Sequence, residues 1–426
     1  MKSSISTLRK PRFSALLVAV GVLCTSGAAA AEGNGIKVGE SRLHPYFDLE
    51  GRFDSAAAVV GAGAGSNGTK LVGDLVIHFR PGVKLESPPD ANFVVQMNAA
   101  LDYNLFTGFV DAGTRQQSRL QGNAALDLTM NRNGLLTVEV GDNFARSDRS
   151  ATAVLGVGVM SLFNDAKLQL DIKPGGALEI DPSYHLTTEF FSPLFTLYTR
   201  PPNCPVGDAS CDPNSVSGLN YLNHTFGLAG RWRFLPKTAL VLDTSYIIRT
   251  YVNGGSGQQI GLLKTMVGLA GLITTHIATV LKIGWAQDVT TSSYSSIIAQ
   301  AEVSYLVSES AQARLGYLRS ADPVGGRFVT FGDDRIYLDG RVLVGGKLTL
   351  RSYLSFDNIS FRAGGGNTAR TDKNFTADAG ADYEIKQWLT AGVGYVFTNR
   401  SSPAGATLNL TNFQRHEIYA KVLFIY

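Results

Sequence analysis

The chain has 426 residues, of which 44% are hydrophobic and only 17% are charged. Soluble domains carry about a quarter charged residues, so this chain is poor in charge. The formal net charge of +3 falls to −1 once the basic residues 1–31 are set aside, so a nucleic-acid-binding protein is not indicated.

Residues 1–31 have the three parts of a secretory signal peptide. An apolar stretch, Phe13–Leu23, is followed by small residues up to Ala31. It is shorter than the ~20 residues that a membrane-spanning helix needs, so we predict cleavage after Ala31 rather than an anchor. The basic region in front of it contains Lys2, Arg9, Lys10 and Arg12. Residues 32–43 are then predicted to be a periplasmic leader.

From residue 44 onward, apolar and polar residues alternate with a period of two, which is typical of β-strands. In "LHPYFDLEGRFD", Phe47, Leu49 and Phe53 fall on one face and acidic and basic residues fall on the other. Eighteen such segments are predicted, beginning near residues 45, 70, 93, 118, 135, 165, 177, 219, 239, 260, 277, 297, 311, 334, 348, 374, 389 and 414.

The connections between these segments alternate between short and long. Short ones include "NRNG", "KPGG", "LVGG" and "RPGVKLESPP"; long ones include "SAAAVVGAGAGSNG" and residues 144–160, 192–218, 362–373 and 399–412. A sheet in lipid must close, because an open edge would leave backbone groups unpaired. We therefore predict that residues 44–426 form an all-β transmembrane antiparallel barrel of about 18 strands, with short periplasmic turns and long extracellular loops. A soluble exported sandwich would not separate its connections by length.

Two cysteines remain after the signal peptide, both in the loop 192–218. Cys204 and Cys211 lie close together in "CPVGDASC". In an exported protein such a pair predicts a local disulfide. A metal site is not predicted, since it would need further ligands.

Aromatic residues cluster near both ends of the predicted barrel and are interpreted as two interfacial girdles. Those near the short turns are Trp232, Phe234, Trp388, Phe424 and Tyr426, and those near the long loops are Tyr246, Tyr251, Trp285, Tyr395 and Phe397. The last segment, His416–Tyr426, is predicted to close the barrel beside the first strand, with Ile418, Val422 and Phe424 toward lipid. Its terminal aromatic resembles the signal that barrel-assembly machinery recognises.

An 18-stranded barrel leaves an aqueous channel that the polar faces of its strands would line. The predicted pore-lining residues are Asp48, Glu50, Arg52, Glu179, Asp181, His185, Arg231, Arg233, Arg314, Arg335, Arg341, Arg351, Asp378, Asp382, Glu384, Glu417 and Lys421. Two interpretations stay open. Acidic and basic walls could face each other and create a field across the pore, or the charges could pair between neighbouring strands and only hold the shape.

An enzyme is not predicted. His185 and Glu189, on one face of one strand, are the best acid–base pair that the chain offers, but a structural hydrogen bond in the lumen explains them better. "GAGSNG" matches a dinucleotide-binding pattern, but a strand rather than a helix follows it. No cofactor is predicted.

The stretch "GESRLHPYFDLEGRFDSAAA", residues 39–58, resembles the opening of outer-membrane barrels of the β-barrel porin 2 type, which accompany exopolysaccharide assembly and export systems. Pro45, Leu49, Glu50 and Asp54 fit the first strand of that group. The resemblance implies a channel that exports an exopolysaccharide across the bacterial outer membrane, together with a periplasmic export protein and an inner-membrane copolymerase.

The predicted function is therefore an outer-membrane export channel surrounded by lipid and lipopolysaccharide. The alternatives are a passive or substrate-selective porin for small polar solutes, an outer-membrane enzyme, and a structural or adhesive surface barrel. Inward polar residues such as Gln96, Asn98 and Tyr353 would suit a hydrated sugar polymer.

Overall fold

The computed structural model describes residues 35–61, 69–88, 91–148, 159–193, 216, 219–252, 259–290, 294–323, 328–363, 369–403 and 412–426. The predicted signal peptide and the predicted Cys204–Cys211 disulfide lie outside these residues, so both stay predictions.

The described residues form nineteen strands and a 3₁₀-helix, Ala112–Gln117. The strands are Ile36–Val38 (β1), Ser41–Gly61 (β2), Thr69–Glu86 (β3), Phe93–Phe106 (β4), Arg119–Met130 (β5), Leu136–Ser147 (β6), Val159–Ile172 (β7), Leu178–Pro193 (β8), Tyr221–Leu235 (β9), Thr238–Tyr251 (β10), Ile260–Leu272 (β11), Ile277–Asp288 (β12), Ser295–Ser308 (β13), Ala311–Pro323 (β14), Phe328–Val344 (β15), Leu348–Ala363 (β16), Arg370–Lys386 (β17), Leu389–Ser401 (β18) and Phe413–Ile425 (β19). No helix in this part of the chain is long and apolar enough to cross a membrane.

Strands β2–β19 form one closed antiparallel barrel of eighteen strands. Each pairs with its neighbours along the chain, and β19 pairs with β2 to complete the ring. The short strand β1 lies beside the start of β2 and stands outside the ring. The predicted fold class and the predicted strand number are confirmed.

The C-terminal strand closes the barrel as its sequence predicted. Val422 lies opposite Leu49 in the register of β19 with β2. At the chain end, the Tyr426 amide donates to the Pro45 carbonyl at 3.0 Å, and His44 Nδ1 lies 2.9 Å from the Tyr426 carbonyl oxygen. The last backbone groups are therefore paired, and no open edge remains at this seam.

Short turns connect the strands at one end of the barrel, which we call the turn end; the other is the loop end. Between β15 and β16, Gly345 and Gly346 have φ values of 60° and 70°. Two successive positive φ values suit the tight hairpin turn that right-twisted strands need, and only glycine adopts them without strain.

The strands reach further toward both ends than the alternation predicted. Ser55–Gly61, predicted as loop, belongs to β2, and most of "RPGVKLESPP" belongs to β3. Strands β7, β15 and β17 also begin before their predicted starts. In Ser55–Gly61 the alternation is lost because the inner face is apolar as well, where Ala58 packs with Val76 and Phe106, while the backbone pairing continues.

The two faces of the wall differ in polarity. Directly opposed residues of a pair lie on the same face, so the register assigns every strand residue to one face. One face carries exposed apolar side chains, such as Ile283 and Ile418, which are 61% and 58% exposed. The other carries charged side chains, many of them buried, such as Glu417 and Asp382.

The polar face is the inside of the barrel, because side chains of strands that are not neighbours meet on it. Tyr337 on β15 donates to Glu302 Oε2 on β13 at 2.5 Å, and Arg351 on β16 donates to the Tyr419 hydroxyl on β19. Side chains on the convex face of a barrel diverge and cannot meet in this way. The apolar face is therefore the outer face and the polar one the inner face, as a barrel in lipid requires.

Most of the predicted girdle aromatics lie on the outer face. Trp232 and Phe234 are exposed beside the turn end, and Trp285 and Tyr395 are exposed nearer the loops. The assignment of Tyr251 is wrong. Its register places it on the inner face, where it is buried against other apolar residues.

Candidate channel lumen

The register places all the predicted pore-lining residues on the inner face of the wall. Asp48, Glu50 and Arg52 share it with Glu417 and Lys421 across the seam, and the remaining predicted residues follow strand by strand around the ring. Their role in a conducting path stays a prediction.

The inner face at the seam is a continuous network of charged groups. Arg52 donates to Glu50 at 2.6 Å and to Glu417 at 2.8 Å. Arg80 on β3 extends the network from Glu50, at 3.1 Å, to Asp102, at 2.9 Å. Because opposite charges alternate across four strands, the charge of each of these acidic groups is offset within the wall.

This network continues toward the loop end through Arg415. Its guanidinium binds Asp54 on β2, with Nε 3.0 Å from both carboxylate oxygens, and it lies 3.6 Å from Glu417. Glu417 is only 1% exposed. A buried carboxylate between two arginines is stable only while both partners stay in place.

A second group of paired charges follows on β16–β19. Arg351 lies 3.8 Å from Asp378 and 3.6 Å from Asp382. Lys421 lies 3.0 Å from Asp382. The Arg52 and Arg351 guanidinium groups also lie over the Tyr419 ring, at 4.9 and 6.0 Å from its centroid.

The remaining predicted arginines are also mostly paired. Arg335 binds Asp357 and Asp333, Arg314 lies 3.7 Å from Glu302, and Arg231 and Arg233 both approach Glu179. The acidic and basic walls of the first interpretation do not form. Charges pair within the wall, as in the second interpretation, because side chains on adjacent and next-nearest strands converge inside a barrel.

Among the described residues, a few inner-face carboxylates make no hydrogen bond or ion pair. Asp181 and Glu384 belong to the predicted set, and Asp127 and Asp339 were not predicted. All four lie within a few residues of the turn end of their strands. Arg341, beside Asp339 on β15, has no such partner either, so it offsets part of this negative charge.

His185 and Glu189, the best acid–base pair in the sequence, bind different partners. His185 Nδ1 lies 3.2 Å from Asp165 Oδ2 on β7, while Glu189 accepts from the Ser161 hydroxyl at 2.5 Å and from the Tyr221 hydroxyl at 2.8 Å. Both groups therefore have separate structural partners, which agrees with a structural role for them rather than a catalytic one.

At the loop end, the segment between β4 and β5 is held against the inner face by one buried carboxylate. Asp74 on β3 is 0% exposed. It accepts from the Phe109 amide at 2.7 Å, the Gly108 amide at 3.0 Å and the Thr114 hydroxyl at 2.7 Å. Residues 107–118 therefore lie over the inner edge of the mouth instead of extending away from it.

The inner face at the loop end also carries apolar clusters, which the alternation did not predict. In one, Phe191, Tyr221, Tyr251 and Ile260 pack together with Val216 and Leu219. In another, Val76 and Phe106 pack with Ala58 near residues 107–118, the segment that Asp74 holds. A third contains Ile247, Leu262, Ala286, Tyr294, Ile298 and Ala321.

These side chains point into the barrel and are nevertheless buried, so other parts of the chain must cover them there. That covering reduces the open area of the mouth. The sequence contains a signal for them. Ile247, Leu262 and Ile298 interrupt the polar phase of their strands near the loop end, where a residue facing open water is expected to be polar.

No family model matches the chain, and no curated protein matches it. Similar solved structures include Acinetobacter baumannii OccAB3, at 10% identity and a TM-score of 0.46, over 91% of this chain and 100% of that one. Pseudomonas aeruginosa OccK3 (OpdO) is 11% identical with a TM-score of 0.44, over 90% and 95% of the two chains. Pseudomonas aeruginosa OprD is 10% identical with a TM-score of 0.43, over 93% and 97%. The resemblance of residues 39–58 to the β-barrel porin 2 type stays a prediction.

The barrel itself has the architecture of a bacterial outer-membrane protein. Its backbone is paired around the whole ring, and its outer face presents large apolar side chains. Hydrocarbon tolerates a sheet only in this form, because each unpaired backbone group in lipid would cost several kcal/mol.

Proposed function

We propose that the chain is an outer-membrane channel for small polar solutes, which was the alternative to polymer export. The observation that carries the proposal is the inner face: it is polar and ion-paired along the barrel and narrowed at the loop end by inward-lying segments. A polar interior keeps a hydrated path across the membrane. A narrowed mouth limits what can enter it.

Two features support small solutes rather than a polymer. Asp74 holds residues 107–118 over the mouth, and the cluster around Tyr221 and Tyr251 occupies the inner face on another part of the ring. A sugar polymer needs a wide, continuous hydrated tunnel, and inner apolar clusters at the mouth work against one. Export of an exopolysaccharide, with its periplasmic and inner-membrane partners, therefore remains a prediction that the inner face of the barrel does not favour.

The paired charges fit the same function. A charged side chain that is already bound to a neighbour in the wall is a weak trap for a passing ion, so solutes can leave as readily as they enter. Arg52, Arg80 and Arg415 are all held in this way. We propose that these residues shape the passage and that they do not form a tight binding site.

Liposome swelling tests the proposal. Purified, refolded protein in liposomes is challenged with monosaccharides, disaccharides and longer oligosaccharides, and the swelling rate is measured for each. We expect entry of the small sugars and a steep loss of rate with size. Protein-free liposomes are the control. Equal rates for all sizes would contradict the narrowed mouth, and no swelling above the control would contradict the channel.

A deletion strain tests the competing prediction. Loss of surface polysaccharide with retained periplasmic polymer would favour export. Normal surface polysaccharide is the result that our proposal expects.

A further inference from the structure

Part of the wall leaves the barrel surface at the loop end. The pairing of β13 with β14 stops at Ala299 and Arg319. Strand β14 nevertheless continues to pair with β15 as far as Pro323, and β13 continues to pair with β12 as far as Ser295. The end of β14 therefore separates from β13, while β15 stays paired with both β14 and β16. We call this free edge of the sheet the flap and define it as Ser320–Pro323 with its β15 partners Thr330–Asp333.

The flap bends toward the inside of the barrel. Lys264 Nζ on β11 lies 2.6 Å from Asp322 Oδ1, three strands away around the ring. Arg249 Nη1 on β10 donates to the Pro323 carbonyl at 2.6 Å, four strands away. Side chains reach across so many strands only where the end of β14 crosses in front of the inner face of β10–β13.

The inner face beneath the flap is apolar. Ile247, Leu262, Ala286 and Ile298 come from four successive strands and are each no more than 2% exposed. Ala321 of the flap packs against them and is equally buried. By its register Ala321 belongs to the outer face of β14, and that face meets the inner face of β10–β13 only if the flap folds inward over it.

We infer that the flap is a fixed partition that sets the largest solute the mouth admits, and that Lys264 and Asp322 are the positioning residues that hold it. This inference rests on the proposed function as a channel. Two charge-assisted contacts and a packed apolar interface together favour a static element over a swinging lid. The solutes that pass would be small, hydrated and polar, since the flap hides the apolar part of this wall from them.

Lys264 and Asp322 are better test positions than Arg249. The Arg249 guanidinium also donates to Asn223 at 2.7 Å and lies 3.8 Å from the Tyr221 ring centroid, so its removal would disturb the neighbouring cluster. Asp322 also accepts a hydrogen bond from the Ser320 hydroxyl at 3.3 Å, and the Asp333 carboxylate lies close enough to interact with it electrostatically. Among the residues that the structure describes, Lys264 makes no other hydrogen bond.

The first experiment is single-channel recording in planar bilayers with K264A and D322A. We expect each variant to raise the conductance at least twofold and to admit larger polyethylene glycols than the wild type does. The charge swap K264D/D322K is expected to return both values toward the wild type. The matched control is K282A, since Lys282 and Asp243 make an ion pair of the same length, 2.6 Å, within the wall.

A second measurement does not depend on conduction. Ala286→Cys and Ala278→Cys, both on the inner face of β12, are introduced into a C204S/C211S background and treated with a membrane-impermeant thiol reagent. Ala286 lies under the flap and Ala278 lies near the turn end. We expect Cys at 278 to react always, and Cys at 286 to react only when K264A is also present.

The outcomes separate the two proposals. A wild type that conducts, with K264A equal to K282A in conductance and size limit, would overturn the partition and leave the channel standing. A wild type that does not conduct would overturn the channel. Independently of conduction, a cysteine at 286 that stays unreactive even when K264A is present would overturn the partition.

Discussion

The inner face of the barrel is stabilised differently at the seam and at the wall formed by β10–β13. On β19 and β2–β4 the inner face is charged, and Arg52, Arg80 and Arg415 bind the acids around them. On β10–β13 near the loop end the inner face is apolar, and another part of the chain covers it. An inner face is stable if its charges are paired or if its apolar groups are buried.

The difference shows that one part of the wall is stabilised without narrowing the lumen, whereas the other part is stabilised at the expense of open space in the lumen. Paired charges stabilise the seam within the thickness of the wall and leave the lumen free. The apolar patch needs a cover, and the cover extends into the lumen. We therefore expect changes at the seam to affect folding, and changes at the covered wall to affect both folding and passage.

The largest effect is expected from removing the central carboxylate of the seam. Glu417→Ala leaves Arg52 and Arg415 facing each other without the acid between them, which we expect to cost about 3–5 kcal/mol in the free energy of unfolding. Unfolding in guanidinium chloride, followed by the gel mobility of the folded barrel, measures it. Ile418→Ala, on the outer face next in sequence, is the control. Equal losses in the two variants would show that the charge network does not hold the seam.

Two neighbouring leucines on β11 allow the stability contributions of the covered inner wall and of the lipid-facing side to be compared. Leu262 is 0% exposed, whereas Leu263 points outward and is 37% exposed. Leu262→Ala should leave a cavity and cost about 2–4 kcal/mol, and Leu263→Ala should cost clearly less. The same unfolding assay decides it, and a greater loss at Leu263 would mean that the inner cluster is not packed.

A smaller, local effect is expected where Asp74 holds residues 107–118. Asp74→Ala removes the common acceptor of Gly108, Phe109 and Thr114, so we expect a loss of about 2 kcal/mol and release of the segment. Trypsin cleavage after Arg115, followed by mass spectrometry, detects the release. Asp111→Ala removes only the cap of the 3₁₀-helix, at a cost of about 1 kcal/mol. Cleavage that is as fast in the wild type as in the Asp74 variant would speak against the anchor.

The smallest effect concerns ion selectivity. Asp127, Asp181, Asp339 and Glu384 have no ion-pair partner among the described residues, and near the turn end they favour cations. In D127N/D181N the reversal potential in a salt gradient should move toward anions by several millivolts. Asp142→Asn, on the outer face of β6, should leave it unchanged. A shift toward cations in the double variant would refute the assignment.

Much of the fold could be predicted from the sequence, because a wall between lipid and water imposes the period of two on every strand. The strand number, the closure of β19 on β2 and the face of each pore-lining residue all follow from that period. The strand ends do not, since Ser55–Gly61 stays paired with β3 although both of its faces are apolar and the alternation is lost.

The arrangement of the inner face was harder to predict. The pattern places Arg351 on the inner face, but its partners lie on β17 and β19, and a linear sequence does not show which strands converge. Ile247 and Ile248 are adjacent and both apolar, so their faces could not be told apart from the pattern. The flap that separates from β13 explains why Ile247 is apolar although it lies on the inner face of the barrel.

Single-channel recording of the purified wild-type protein in a planar bilayer tests the central claim most directly. We predict stable conductance steps in potassium chloride that small polyethylene glycols reduce by entering the pore and that larger ones leave unchanged. A bilayer without steps, or a pore that polymers of polysaccharide size also enter, would contradict a narrowed channel for small polar solutes.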